Sequence, residues 1–177
     1  MTVARARVGT PRRRLTLVLA VLAVLALALS VPSSLRAAWE RGGFYVFTRE
    51  FFLDLPRRLT GPGRFRFLLQ PAAAIALGIG AGRADGREGR PPYLQALLLG
   101  VADRRELLRD AYRSIAHLLL AGVLVDSVCQ WLILGASYPG AALLVGPVLI
   151  AFPYATARGL ANRVTRPGRG RSSYFEV

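Results

Sequence analysis

Asp126 is the one acidic residue set inside an apolar stretch of this 177-residue chain. A carboxylate at the centre of a membrane helix costs about 2.5–3.5 kcal/mol on insertion scales, so such a residue turns toward a partner and away from lipid. Gln130 stands one helical turn further on the same face, and Gly122 one turn back leaves room beside it. Two chemistries fit this pair: a proton or cation relay, or a polar clamp between spans. A relay needs several polar groups in series. The remaining candidate, His117, is nearly half a turn around the helix from Asp126. The clamp is therefore the expected role. Folding the following hairpin sets Asp126 opposite Gly146-Pro147, where Pro147 has no N–H for the carbonyl of Leu143. A protonated Asp126 donating to that oxygen is the expected contact.

Other reactive residue types stand in patterns that point to packing or topology. Ser114 and Ser127 have no base beside them that would make a nucleophile. One cysteine, Cys129, permits no intramolecular disulfide, and one histidine supports no His-rich metal site, so no metal, cofactor or catalytic residue is expected. The Gly78-to-Gly82 string lacks the dinucleotide pattern, because Arg83 stands where that pattern needs glycine. Ala74, Gly78 and Gly82 instead fall four apart and form a small-residue face for close helix contact. Asp103, Glu106 and Asp110 sit among arginines and read as salt-bridged helix, with no catalytic carboxylate among them. Trp39, Trp131, Tyr138 and Tyr154 suit the aromatic belts of a membrane interface. Arg163, Arg166, Arg169 and Arg171 are candidates for gripping anionic lipid head groups, at about 1 kcal/mol each.

These residues need elements to hold them. Apolar residues make up 53% of the chain and collect in blocks rather than recurring every third or fourth position. That clustering marks a membrane protein. Residues 1–31 are a basic N-terminus and a first anchor, apolar from Leu15 to Val31 and closed by Pro32. The basic-then-apolar order also fits a leader segment. Residues 32–66 carry Phe44, Phe47, Phe51, Phe52 and Leu55 at helical spacing, either an interfacial helix with an aromatic face or a helix packed on the other spans, which Pro56 stops.

Residues 67–165 are the membrane core. Block 67–81 either spans or is re-entrant, and 86–92 is a loop. Leu94, Leu97, Leu98 and Val101 mark a short helix, and Asp103 with Glu106 marks a helix start that runs unbroken to Gly135. A helical hairpin covers 115–154, interrupted at Gly146-Pro147 and Pro153, with Gly/Arg-rich text from Arg158 and a disordered basic tail at 166–177. The expected fold is an all-α polytopic membrane helical bundle of three or four transmembrane helices plus an interfacial amphipathic helix.

All 24 basic residues are arginine, and the net charge is +14. They flank apolar blocks, which the positive-inside rule explains without nucleic acid. With four spans and both termini cytoplasmic, 17 arginines lie inside and seven outside. The reverse orientation inverts that bias. Three spans with the N-terminus outside would have to translocate Arg12-Arg13-Arg14 beside the first span.

The strings GRFRFLLQP (63–71), GRPPYLQALL (89–98), RRELLRDAYRSIAH (104–117), the YPG turn (138–140) and RGLANRV (158–164) resemble a family of small multi-pass bacterial inner-membrane proteins of uncharacterised activity. The resemblance covers about residues 63–165. It implies a compact membrane core and no particular chemistry. The expected function is that of a non-enzymatic structural, accessory or assembly component of the bacterial cytoplasmic membrane. Its expected partners are the bilayer, anionic lipid head groups, and a further copy or another membrane protein. The alternative is a small transporter or channel-like protein using Asp126 and Gln130.

Overall fold

The computed structural model describes residues 10–166 of the chain. Among them every regular element is a helix, six in all: α1 (Thr10–Arg41), α2 (Arg49–Thr60), α3 (Arg66–Arg87), α4 (Tyr93–Leu99), α5 (Arg104–Leu134) and α6 (Pro139–Thr165). Four of these, α1 over Arg13–Glu40 together with α3, α5 and α6, are long and apolar enough to cross a membrane. The block at 67–81, either a span or re-entrant by its sequence, lies within α3. The helix does not stop there, and its 22 residues reach about 33 Å, close to the ~30 Å hydrocarbon thickness.

The prolines do not break the helices where the sequence suggested. Pro32 lies inside α1, Pro56 inside α2 and Pro71 inside α3. The helix α6 likewise runs through Pro147 and Pro153 and on past Arg158 to Thr165, so the polar text after Arg158 begins as ordered helix. Proline removes one N–H from the ladder. Spanning helices tolerate this because neighbouring helices and local adjustments satisfy the freed backbone groups. Arg169 and Arg171 lie outside the described residues.

The chain forms two compact units, Met1–Arg64 with Ala116–Pro147, and Phe65–Ile115 with Val148–Val177. In the first unit, Thr48 caps α2: its Oγ1 accepts from the Phe51 amide at 3.3 Å and donates to the Tyr45 carbonyl at 2.8 Å. The expected single aromatic face is not formed. Phe44 and Phe47 precede the helix, Phe51 is buried and Phe52 is exposed. Phe51 instead joins Tyr45, Tyr138 and Ala141 in a small core, against which Val46, Leu134 and Leu144 pack. Gly146 approaches the Gly122 backbone so closely that a Cβ on it would stand 2.9 Å from the Gly122 carbonyl carbon. This contact sets the spacing of the α5–α6 hairpin one turn from Asp126.

In the second unit α3 packs on α6. Ala74, Gly78 and Gly82 are buried, and a Cβ on Gly78 would meet the Tyr154 carbonyl oxygen at 2.5 Å. A Cβ on Gly82 would overlap the Arg158 carbonyl oxygen. The two helices thus meet backbone to backbone along a row of small residues. The chain leaves α4 through Gly100 at φ +66°, which places Val101 beyond the helix. Asp103 then starts α5, its Oδ1 accepting from the Arg105 amide at 2.9 Å.

Candidate functional site

Each unit buries an ionic cluster among its described residues. In the first, Asp126 on α5 accepts from Gln130 Nε2 at 2.5 Å, and Gln130 Oε1 accepts from the Tyr138 amide at 2.9 Å. The i, i+4 spacing brings the two side chains together, and Gln130 ties them to the turn that opens α6. The charged partner of Asp126 comes from α2: Arg58 NH1 stands 3.7 Å from its Oδ2. Asp126 and its partner are 1% and 0% exposed. The sequence had suggested a protonated Asp126 turned to the Leu143 carbonyl. A buried guanidinium beside it makes it half of an ion pair instead.

Arg58 is held in turn by aromatic residues. Its NH2 donates to the Tyr45 hydroxyl at 3.4 Å, and its guanidinium lies 5.7 Å from the ring centres of both Tyr45 and Phe51. The Tyr45 hydroxyl donates to Asp54 at 2.7 Å, and its ring stacks on Tyr138 with centroids 3.9 Å apart. Burial pushes the Tyr45 phenol up to about 12, helped by the Asp54 carboxylate and opposed by Arg58. Tyr138 and Tyr154 are therefore buried, not belt residues, whereas Trp39 and Trp131 are exposed.

In the second unit Arg158, 2% exposed, is gripped from three sides. Its Nε and NH2 donate to the two oxygens of Asp85 at 2.6 and 3.0 Å. NH2 also donates to Asp110 at 2.7 Å, and NH1 to the Tyr154 hydroxyl at 3.1 Å. The Tyr93 ring covers the guanidinium, its centre 4.8 Å away. Burial raises the Tyr93 phenol pKa, and the Arg158 charge opposes that rise. Asn162, one turn beyond Arg158, donates to the Arg90 carbonyl at 3.1 Å. Beside this cluster a cleft of about 500 Å³ opens among charged residues, including Asp103, Glu106, Arg109 and Arg113.

Sequence reasoning singled out Asp126, Gln130 and the small face. It missed Arg58, Asp85, Arg158 and Tyr93 as site residues. Arg58 reads as one of several arginines in a connecting segment. Asp85 and Arg158 sit in Gly/Arg-rich text that looks solvated. Arg163 and Arg166 are exposed near the end of α6. His117 is half-buried, and Ser114 and Ser127 donate to carbonyls of their own helix. Cys129 is buried, with Gly63 against its sulfur. No group of acidic, His or Cys residues among those described is arranged to hold a metal ion. The chain matches no family model, and neither a curated protein nor a solved structure matches it.

Proposed function

We propose that this is a multi-pass protein of the bacterial cytoplasmic membrane, with both termini in the cytoplasm, that works without catalysis as a structural, accessory or assembly component. The observation that carries the reading is the state of its intramembrane polar groups. Asp126 and Gln130 hydrogen-bond to each other and are engaged by Arg58 and the Tyr138 amide. A transport path needs polar groups reached by water in series, whereas Asp126, Gln130 and Arg58 are each at most 1% exposed. It clamps α2, α5 and the start of α6. The orientation rests on the arginines, 17 of which lie inside when both termini are cytoplasmic. The exposed Arg163 and Arg166 then face anionic head groups of the inner leaflet. Nucleic acid has no part in this reading.

The test is purification of the full chain from its native membrane in mild detergent, with identification of what comes with it. A protein partner in fixed ratio is the expected result. A homogeneous preparation without partner that conducts protons in liposomes would overturn the reading.

A further inference from the structure

The cleft beside Arg158 has charges left over once the buried cluster is counted. Asp85 and Asp110 are bonded to Arg158, and Arg90 is tied to Glu88 at 2.7 Å. That leaves two carboxylates, Asp103 and Glu106, and two guanidiniums, Arg109 and Arg113, lining the same cleft. Among the described residues Glu106, Arg109 and Arg113 form no ion pair. They fall at i, i+3 and i+7 of α5 and so share one face. The four charges balance. A purely anionic ligand would meet Asp103 and Glu106, and a purely cationic one would meet Arg109 and Arg113. A ligand carrying both signs a few ångströms apart satisfies both sets.

Position narrows the ligand further. The cleft is built on the polar ends of α3 and α5, where Arg83, Arg87, Arg104 and Arg105 mark the passage from apolar helix to water. Its wall holds buried Tyr93, fixed against Arg158, so the cleft is a formed one. We infer that it binds a phosphoethanolamine group: phosphate on Arg109 and Arg113, primary ammonium on Asp103 and Glu106. The group is carried at this depth by an aminophospholipid, and the soluble phosphomonoester has the same chemistry. The inference rests on the membrane reading above but not on its orientation.

The experiment uses the full chain in detergent micelles and reads the thermal unfolding midpoint. Phosphatidylethanolamine, phosphatidylglycerol, phosphatidylcholine and soluble O-phosphoethanolamine are added separately. Phosphatidylethanolamine is expected to raise the midpoint by about 5 °C at saturating lipid. The glycerol and choline lipids should do much less, since one lacks the cation and the other cannot donate hydrogen bonds. Glu106→Gln and Arg113→Gln, both at exposed positions, should keep the lipid-free midpoint and lose most of the shift. A shift with the soluble compound alone assigns the same site to a small molecule. Equal shifts from the ethanolamine and glycerol lipids, full shifts in both variants, or no shift with either phosphoethanolamine source would overturn the inference. Because the assay is in micelles, a wrong orientation cannot produce its failure; reporter fusions test orientation separately.

Discussion

Arg158 and Asp85 meet in a two-pronged contact, with both carboxylate oxygens held at 2.6 and 3.0 Å by guanidinium nitrogens 73 residues away in the chain. Both side chains are nearly inaccessible. Removing one partner of such a pair strands the other. Arg158→Met should therefore cost about 3–5 kcal/mol, read as unfolding of the purified chain in denaturing detergent. The double variant Arg158→Met/Asp85→Leu should recover a large part of that loss. Arg158→Lys should recover little, because an ammonium cannot reproduce the planar fork. Full stability of Arg158→Met would remove the pair from the account.

The small face of α3 makes a graded prediction. A Cβ on Gly82 would overlap the Arg158 carbonyl, while a Cβ on Gly80, in the same helix, would meet nothing within 4 Å. Gly82→Ala should lose about 1–3 kcal/mol as the helices are forced apart. Gly80→Ala should be neutral or slightly stabilising, since it also removes glycine from a helix interior. Likewise Gly78→Leu should lower stability far more than Ile79→Leu. Equal tolerance at positions 80 and 82 would mean that α3 and α6 do not touch there.

The ion pair changes what Asp126→Asn should do. An uncharged clamp would accept the amide. A buried guanidinium 3.7 Å away does not, because its counter-charge is gone. Asp126→Asn should cost several kcal/mol, and Arg58→Met a similar amount. Arg58→Met/Asp126→Leu should be more stable than the sum of the single losses implies, the signature of coupled neighbours. Additive losses in this cycle would separate the two residues.

Tyr45 supplies a pH test. Its phenol is pushed up from 10.0 to about 12 in the folded chain, mainly by burial. Below pH 10 both folded and unfolded chains keep the proton, so stability does not depend on this group. Between about pH 10 and 12 the unfolded chain loses a proton that the folded chain retains, and stability falls as pH rises. Of six tyrosines, Tyr45 should titrate late in an ultraviolet difference titration. Tyr45→Phe should remove one late-titrating phenol and leave that of Tyr93, which burial also raises. A variant titration identical to that of the wild type would contradict the burial of its hydroxyl.

Much of the fold was readable because apolar blocks and helix signals act locally. Asp103 followed by Glu106, and Gly135 at the far end, bracket α5 as its local chemistry requires, with Gly135 at φ +68°. Asp126 and Gln130 stood out because a carboxylate in an apolar run is costly wherever it faces. Their partner did not stand out. Arg58 lies 68 positions before Asp126, and no periodicity connects a connecting helix to a span. Proline misled because Pro56, Pro147 and Pro153 read as stops in water, whereas a packed helix absorbs the missing bond. Arg158 misled because its neighbours Gly159 and Arg163 look like tail text. Only the fold reveals Asp85 across from it. A signal was present in Tyr154 and Arg158, four residues apart on one helical face, but it needs a partner to acquire meaning.

The most direct test of four spans with both termini in the cytoplasm is a set of fusions to a phosphatase that is active only in the periplasm. Fusions after Gly61 and Ser137 fall in segments placed outside, and a fusion after Gly168 falls in the segment placed inside. Activity is expected at Gly61 and Ser137 and silence at Gly168, with all three fusions present at similar abundance. Activity at Gly168, or silence at Gly61 with activity at Ser137, would contradict that topology.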